Sequence, residues 1–501
     1  MGRRIFSALL VVGALFALPA AASATTRYAA PGGTADDTVC VTPDAPKCSI
    51  GAAAGGTDVV PADEAVILPG NYSDTAGDLN GDALNPTDGV VQPAAGNVHG
   101  ASGEPRPVIT VNGLDPMFAN SYGAFLLSAS TLSDVEIDAG AMASGAVTFG
   151  FGSANSVVQR VVARSTRDGA ITCNQSQGTI RDSVCLSSGS GGIGLGASVA
   201  IGGTYTDTVR NVTAISTGTN AYGVFYFYGT FGGPGPTYSI SAKSLIAQGT
   251  GTAQDIRVRG LGTGTSVTMN LDHSDYDSAI DEDVSGGSAS VTAPGTGTGN
   301  ITGAPVLAAD GYHEVTGSPT VNAGATDGSS GTQDIDGQLR TIGSVSDIGA
   351  DELAAPTTTG VSCTPNPLVF GSGATQCAVT VTDTTSPPPV TFLSGVRLLS
   401  DMPGSFVANC ETLFMATPTQ GTCTAPYTPT AAGTHTITAV YPGDSTHDSS
   451  RDTDVLQVNP PGTGPGPGAG ASTPPRAKKC KKKKKHRAAT AKKKCKKKKR
   501  R

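Results

Sequence analysis

The sequence has no tryptophan and is poor in aromatic, charged and histidine residues. Over 501 residues, aromatics make up 5% and charged side chains 15%, and there are six histidines. Helical bundles and coiled coils need runs rich in Ala, Glu, Lys and Leu, so this composition excludes them. The absence of a Cys-x-x-Cys pair argues against a structural zinc site. The chain is instead rich in glycine (67) and proline (33), with many short Val, Ile and Thr runs.

Long apolar stretches are also missing, except for one at the N-terminus. Arg3 and Arg4 precede the apolar run 5–18, and Ala22-Ser23-Ala24 supplies the small residues of a cleavage site. A membrane span needs about 20 apolar residues, so this pattern indicates a secretory signal peptide over 1–24. We expect a secreted chain with no transmembrane span in its mature form.

The ten cysteines suit the oxidising environment outside the cytoplasm. They fall in near-neighbour couples, which predicts sequential disulfides, although sequence alone leaves other connectivities open. The couples are Cys40 and Cys48, Cys173 and Cys185, Cys363 and Cys377, Cys410 and Cys423, and Cys480 and Cys495.

Residues 25–355 contain β-branched runs that recur at a nearly regular interval. The first apolar positions of six runs (132, 157, 180, 209, 240 and 267) are separated by 25, 23, 29, 31 and 27 residues. Such a period, with one strand per repeat, predicts an all-β solenoid, the right-handed parallel β-helix. A β-sandwich array or propeller would show hairpin turns that are scarce here. Polar residues two positions further on are expected to bond the backbone at each corner. They are Asp134, Gln159, Asp182 and Asn211.

Segments at both ends of this region resemble known families. Residues 64–72, EAVILPGNY, resemble the opening of secreted pectate-lyase-like β-helix proteins. SPTVNAG at 318–324, DIDGQLR at 334–340 and DIGADE at 347–352 resemble the choice-of-anchor Q domain of bacterial surface proteins, although Asn322 and Asp351 depart from its pattern. This resemblance assigns no reaction. We expect a structural cap in which Arg340 pairs with a carboxylate and covers the last open coil. A ligand site is the alternative.

A second domain is predicted over 356–458, where Thr/Val strands alternate with Pro and Gly turns. The run AGTHTITAVYPGD at 432–444 resembles the last strands of bacterial Ig-like repeat modules, which implies a β-sandwich serving as a spacer or adhesive module. A Pro/Gly linker follows over 459–475. The chain ends in a Lys-rich tail, 476–501, for which we expect disorder.

Positive and negative residues are distributed unevenly along the chain. The tail holds 18 of the 34 basic residues and no acidic one, so the remainder carries 16 basic and 40 acidic residues. Such a tail stays extended and binds anionic polymers in a salt-dependent way. We expect it to hold the protein to anionic envelope polymers at the cell surface. No nucleotide fingerprint occurs, and specific nucleic-acid binding is not expected.

Some parallel β-helices are polysaccharide lyases or hydrolases, so residues 25–355 are also considered as the location of a catalytic site. A lyase of this kind needs an arginine or lysine as base. The compact group with mixed charge after a strand is Arg164, Arg167 and Asp168, and a solvated turn is the alternative. Asp272, Asp275 and Asp277 lie in an acidic run that could bind Ca²⁺ through oxygen ligands, or form a solvated loop.

One stretch, 222–231, contains six of the 25 Tyr and Phe residues. On a strand, Tyr222, Tyr226 and Tyr228 share one face, and the phenylalanines share the other. An exposed tyrosine row would stack on sugar rings, and an internal aromatic stack is the alternative.

Three functions follow from these features. The first is an exported, non-catalytic display or adhesion protein that is tethered to the cell surface by its tail. The second is a polysaccharide lyase or glycoside hydrolase, and the third is a glycan-binding module. The scarcity of paired charges in the solenoid favours the first.

Overall fold

The computed structural model describes residues 24–461, with gaps at 35–39, 42–47, 56–58, 74–94, 112–125, 128–129, 142–144, 150–154, 200–201, 230–234, 251–253, 343–344, 385–391, 393, 408–409 and 445. The predicted signal peptide (apart from its last residue, Ala24), most of the linker, the basic tail, and Cys480 with Cys495 lie outside the described residues.

The described residues of the N-terminal body form parallel strands of varied length and one short helix. In chain order these are β1 (Thr26–Thr34), α1 (Ile50–Gly55), β2 (Glu64–Ile67), β3 (Asn71–Ser73), β4 (Asn97–Gly100), β5 (Val108–Thr110), β6 (Leu126–Leu127), β7 (Thr131–Ser133), β8 (Glu136–Asp138), β9 (Val147–Phe149), β10 (Val157–Gln159), β11 (Val162–Ser165), β12 (Ile171–Asn174), β13 (Gly178–Ser187), β14 (Ile193–Val199), β15 (Thr204–Ser216), β16 (Tyr222–Gly229), β17 (Thr237–Gln248), β18 (Ile256–Leu261), β19 (Ser266–Asp272), β20 (Ala279–Val284) and β21 (Ser288–Val291).

These strands stack in parallel, each pairing with its counterpart one coil away. Sheet A has 14 strands in two ladders, β1-β2-β4-β7-β10-β13-β15-β17-β19-β21 and β3-β5-β8-β11-β13-β15-β17. The long strands β13, β15 and β17 therefore run through both ladders. Sheet B is β6-β9-β12-β14-β16-β18-β20. Parallel pairing of strands one repeat apart is the parallel β-helix that the repeat predicts.

The interior of the solenoid is filled by aliphatic side chains from equivalent positions. Leu132, Val158, Ile180 and Val209 are paired in register across four coils, and each is at most 1% exposed. Burial of such a side chain contributes about 1.5–3 kcal/mol. The core is continuous because each coil covers the apolar edge of the next.

The two ladders of sheet A meet at a corner where one residue per coil is in the left-handed backbone conformation. This corner column consists of Asp134, Arg160, Asp182, Asn211, Ser244 and His273, with φ between 45° and 59°. Gln159, which was predicted as the corner residue of the second coil, is not in this column, so that prediction is wrong. Val158, not Val157, pairs with Leu132, so the corner falls one residue later, at Arg160.

Residues 302–352 form a segment of turns that packs on the outer side of the second ladder of sheet A. Tyr312, Ile335 and Ala350 make a small apolar cluster with Val162 and Val184 of β11 and β13. This packing joins distant parts of the chain and buries the outward face of the ladder.

The backbone of the segment comes close to the solenoid at Gly349. Its amide donates to Ser244 O at 3.0 Å, and its φ is 113°. A β-carbon there would lie 2.7 Å from Ile246 Cδ1, so a side chain would push the segment off the solenoid.

The C-terminal body is a two-sheet β-sandwich. Its strands are β22 (Thr357–Thr364), β23 (Leu368–Val369), β24 (Thr375–Asp383), β25 (Arg397–Ser400), β26 (Gly404–Phe406), β27 (Phe414–Thr417), β28 (Gln420–Pro429), β29 (Gly433–Tyr441) and β30 (Ser450–Asn459). One sheet is β22-β24-β28-β26 with β27 also on β28, and the other is β23-β30-β29-β25. An all-β parallel β-helix followed by a β-sandwich confirms the predicted fold class.

The two bodies meet at Ala355. Its amide donates to Thr446 O and its carbonyl accepts from Asp448 N, both at 2.9 Å. Gln338 Nε2 of the turn segment donates to His447 O at 3.0 Å. The sandwich is thus hydrogen-bonded to the segment that covers sheet A.

Four of the predicted disulfides are confirmed. Cys40–Cys48, Cys173–Cys185, Cys363–Cys377 and Cys410–Cys423 are bonded as sequential pairs. Four disulfides are typical of a protein that resides outside the cytoplasm. Among the described residues, no helix has the length and apolarity needed to cross a membrane.

Candidate functional site

The tyrosines predicted to bind sugar do not form an exposed row. Tyr226 and Tyr228 are fully buried inside the solenoid. They alternate with the phenylalanines of β16 and point inward, where their hydroxyls donate to Gln175 Oε1 at 3.0 Å and Asp207 Oδ2 at 3.2 Å. The prediction is wrong for these two residues, because the face of β16 that carries Tyr226 packs into the apolar interior of the solenoid.

The outward face of β16 carries the half-buried rings of Tyr222, Phe225 and Phe227. The ring centroids of Tyr222 and Phe225 are 5.2 Å apart, and those of Phe225 and Phe227 are 6.3 Å apart. Of the three predicted tyrosines, Tyr222 alone lies at this surface. It is the first residue of the strand, and its ring packs beside Phe225.

Two arginines of β18 lie next to these rings. Phe225 pairs in register with Arg257, and Phe227 with Arg259. The Arg257 guanidinium carbon lies 5.3 and 5.1 Å from the Tyr222 and Phe225 ring centroids, and that of Arg259 lies 5.8 Å from the Phe227 centroid. Cation–π attraction in these contacts holds the long side chains against the sheet.

Glu282 of β20 completes this surface. Its two carboxylate oxygens accept from Arg257 Nη2 and Arg259 Nε, both at 2.5 Å. Burial raises the pKa of Glu282, but the hydrogen bonds and charges of the two arginines outweigh it and lower that pKa. The result is a row of rings, a row of arginines and a bridging carboxylate, which we call the sheet B platform. Its members are Tyr222, Phe225, Phe227, Arg257, Arg259 and Glu282.

The platform suits the recognition of a sugar chain. The faces of aromatic rings stack on apolar C–H faces, and guanidinium and carboxylate groups together donate to and accept from hydroxyls. Glu282 pairs with both arginines, whereas its neighbours Asp281 and Asp283 lie in register with Val258 and Gly260 and so belong to the opposite face of the sheet. Both guanidinium groups of the platform are therefore already engaged by a carboxylate, and neither is left unpaired for an anionic polymer.

Five members of the platform, all except Tyr222, were not among the residues predicted to bind a ligand. The signal that could have found them is the repeat itself. Phe225-x-Phe227 and Arg257-x-Arg259 are one coil apart and occupy equivalent positions on successive strands of sheet B.

The residues considered for catalysis have structural partners. Arg164 Nε donates to Glu136 Oε1 at 2.9 Å, and its guanidinium carbon lies 5.9 Å from the Tyr312 ring centroid. Asp168 Oδ1 accepts from Ser190 N at 2.7 Å, which ties its turn to the next coil. Arg167 is half-buried in the same turn, where its amide donates to Ser165 Oγ at 3.4 Å. These contacts fit a stacked turn.

The three aspartates considered for Ca²⁺ do not come together. Asp272 lies 3.3 Å from Lys243 Nζ and hydrogen-bonds His273. Asp275 is buried, and this burial, with repulsion from Asp277 and Asp255, raises its pKa to about 7. Asp277 is exposed. Their carboxylate oxygens do not form a group within 4.8 Å of one another, so the three do not share one ion site.

The turn segment 302–352 contains the densest group of buried charges among the described residues. Asp334, Asp347 and Glu352 each accept hydrogen bonds from two or more backbone amides, which fixes the turns of the segment. Burial raises the pKa of Asp334 and of Glu352 to about 7 in each case.

Arg340 pairs with a carboxylate, as expected, since its Nη2 lies 3.6 Å from Glu352 Oε2. It also donates to the carbonyls of Ala350 and Asp347, at 2.9 and 2.8 Å. The expectation that it covers the last coil is wrong. Ala350 N donates to Thr213 Oγ1 of β15, which places Arg340 over the middle coils.

Comparison of the chain with family models, curated proteins and solved structures gives no match. Functional assignment therefore depends on the chemistry of the surfaces described above.

Proposed function

We propose that the chain is an exported, non-catalytic adhesion protein that binds a neutral polysaccharide through the sheet B platform. The observation that carries the proposal is the set of three half-buried rings next to two arginines that are paired with one glutamate. A neutral chain fits better than an acidic one because Glu282 already pairs with both arginines, so an acidic sugar would have to displace this carboxylate to bind them.

The shape of the platform supports an extended ligand. Strands in a sheet lie about 4.8 Å apart. The rows on β16, β18 and β20 therefore span about 10 Å across the strands, roughly two sugar units. A polysaccharide lying across the coils would contact rings and polar groups together.

The other features of the sequence fit an extracellular role. Resemblance to pectate-lyase-like β-helices, the choice-of-anchor Q domain and bacterial Ig-like modules suggests a surface-displayed binding domain on a spacer. In this proposal the basic tail, 476–501, holds the protein to anionic envelope polymers, while the platform faces outward to the glycan.

The test is a binding assay on neutral and acidic polysaccharides with the purified mature chain. A salt concentration of about 0.5 M would screen the tail. We expect binding to at least one neutral polysaccharide and a loss of about tenfold or more in Phe225→Ala/Phe227→Ala, since each lost stacking contact removes about 0.5–1.5 kcal/mol.

The matched control is Phe414→Ala, which removes a ring from a strand of the sandwich where the residue is 74% exposed. It should bind like the wild type. Equal affinity of the double variant and the wild type, or binding to acidic polymers alone, would refute the platform as the site.

A further inference from the structure

A second cluster of polar side chains lies in the turn segment, away from the sheet B platform. His313, Asp336 and Asp351 each place one ligand atom within 4.8 Å of the others. They come from three separate turns of 302–352. Nitrogen and carboxylate oxygen donors at this spacing could share one metal ion.

The histidine is oriented as a ligand would be. His313 Nδ1 donates to Asp310 Oδ2 at 2.5 Å, and Nε2 faces Asp336 Oδ2 at 2.5 Å. Metal-bound histidines commonly donate their other ring nitrogen to a carboxylate, which fixes the ring and its tautomer. Here Asp310 would act in that way, leaving Nε2 for the ion.

An independent observation at Glu314 indicates that the cluster lacks positive charge. Glu314 is 4% exposed, and neither of its carboxylate oxygens has a hydrogen-bond partner. It lies next to Asp351, whose Oδ2 accepts from Glu314 N at 2.7 Å, and it interacts electrostatically with Asp347 and Asp351. A buried carboxyl group without a donor is costly in its ionised form unless a cation lies nearby, and otherwise it takes up a proton.

The cations in the vicinity do not balance this charge. Arg340 already pairs with Glu352 and donates hydrogen bonds to two backbone carbonyls. Arg106 Nη2 lies 3.9 Å from Asp336 Oδ1, at the outer edge of the cluster. Asp310, Asp336, Asp351 and Glu314 therefore surround one imidazole, so the cluster contains more carboxyl groups than cationic partners.

We propose that His313, Asp336 and Asp351 bind a divalent cation of the zinc or manganese class, with the carboxyl group of Glu314 buried beside Asp351. An imidazole together with two carboxylates suits these ions, whereas Ca²⁺ prefers oxygen ligands alone. The ion would replace the proton between Nε2 and Asp336. It would join three turns of the segment that covers sheet A, and its role would be structural and independent of glycan binding.

The experiment uses the full mature chain, freed of metal with a chelator and without an added histidine tag. ZnCl₂ or MnCl₂ is titrated in by equilibrium dialysis, and bound metal is counted. The tail contains Cys480, His486 and Cys495, which are also zinc-ligand types, so His486→Gln serves as one control. His99→Gln, at a histidine paired with Glu64 in the solenoid, is the second.

We expect one ion whose affinity falls tenfold or more in His313→Gln and in Asp336→Asn but persists in both controls. The ion should also raise the thermal melting temperature of the wild type and of both controls. It should not raise that of His313→Gln or Asp336→Asn. Asp336 is at the surface, so Asp336→Asn tests the site even if His313→Gln folds poorly. Three results would overturn the proposal. Asp336→Asn could bind the ion with unchanged affinity, its melting temperature could rise with metal, or His486→Gln could lose the ion.

Discussion

Arg160 holds Asp134 of the preceding coil through two parallel hydrogen bonds, from Nε to Oδ1 at 2.7 Å and from Nη2 to Oδ2 at 2.8 Å. Both residues are in the left-handed backbone conformation, with φ of 52° and 59°. A forked pair between equivalent corner positions ties one coil to the next. At the corner column, the residue type therefore affects both the local backbone conformation and the hydrogen bonds that join one coil to the next.

Asn211 gives a direct test of the corner column. It is fully buried, with φ of 51°, and its Nδ2 donates to Asp182 Oδ1 at 2.8 Å and to Ser330 O at 3.0 Å. We expect Asn211→Gly to lose about 1–3 kcal/mol of unfolding free energy through the missing hydrogen bonds. Asn211→Ala should lose about 1 kcal/mol more, since alanine is strained at positive φ. Urea unfolding measures both, and equal stabilities would contradict the strain argument.

Asp207 makes the stability depend on pH. Burial raises its pKa to about 8, while the hydrogen bond from Tyr228 opposes this rise. The folded state binds the proton more tightly than the unfolded state, whose pKa is near 3.8. The stabilisation is complete below about pH 4 and is lost as the pH rises to about 8. Asp207→Asn, which has no such proton, should therefore gain about 1.4 kcal/mol relative to the wild type for each pH unit in that window.

Thermal melting from pH 4 to pH 8 measures this effect. The exposed Asp281→Asn is the control and should melt in parallel with the wild type. A constant difference between Asp207→Asn and the wild type over this range would show that Asp207 does not titrate as proposed.

The disulfide Cys173–Cys185 joins β12 to β13 inside the solenoid. Its removal in Cys173→Ser/Cys185→Ser should lower the free energy of unfolding by about 2–4 kcal/mol, which urea unfolding measures.

Non-reducing peptide mapping should recover the four sequential pairs and, as the sequence predicts, Cys480 with Cys495. A crossed pair such as Cys173 with Cys363 would contradict the division into two bodies.

The basic tail should decide retention at the cell surface. We expect deletion of 476–501 to release the protein from washed cells at physiological salt, because 18 positive charges are lost. High salt should release the full chain in the same way. Retention that depends on neither the tail nor salt would exclude the electrostatic tether.

Absence of catalysis is tested by measuring new reducing ends from a panel of acidic and neutral polysaccharides with Ca²⁺ present. We expect none, because Arg164 is engaged with Glu136 and Asp168 with the turn of the next coil. Release that disappears in Arg164→Ala or Arg167→Ala would establish a lyase and identify its site. Release that both variants retain would establish an enzyme whose site lies elsewhere.

The sequence by itself determined the local features of this protein. The period of the apolar runs predicted the parallel β-helix, because each coil repeats the same strand and corner. The four described disulfides were predictable, because each joins cysteines 8 to 14 residues apart. The alternation from Phe225 to Tyr228 divided those four rings correctly between two faces, but Tyr222 lies on the face of the phenylalanines and not on that of the other tyrosines.

Tertiary structure decided which of those faces is inside. Alternation has a period of two and is the same for both orientations, so only the closure of the coil sends Tyr226 inward and Phe225 outward. It also decided where the turn segment lies. Arg210 Nη2 donates to Ala325 O, 115 residues away, and no local pattern specifies such a contact. The cluster of His313, Asp336 and Asp351 depends on the same long-range packing, because its three turns converge only when the segment covers sheet A.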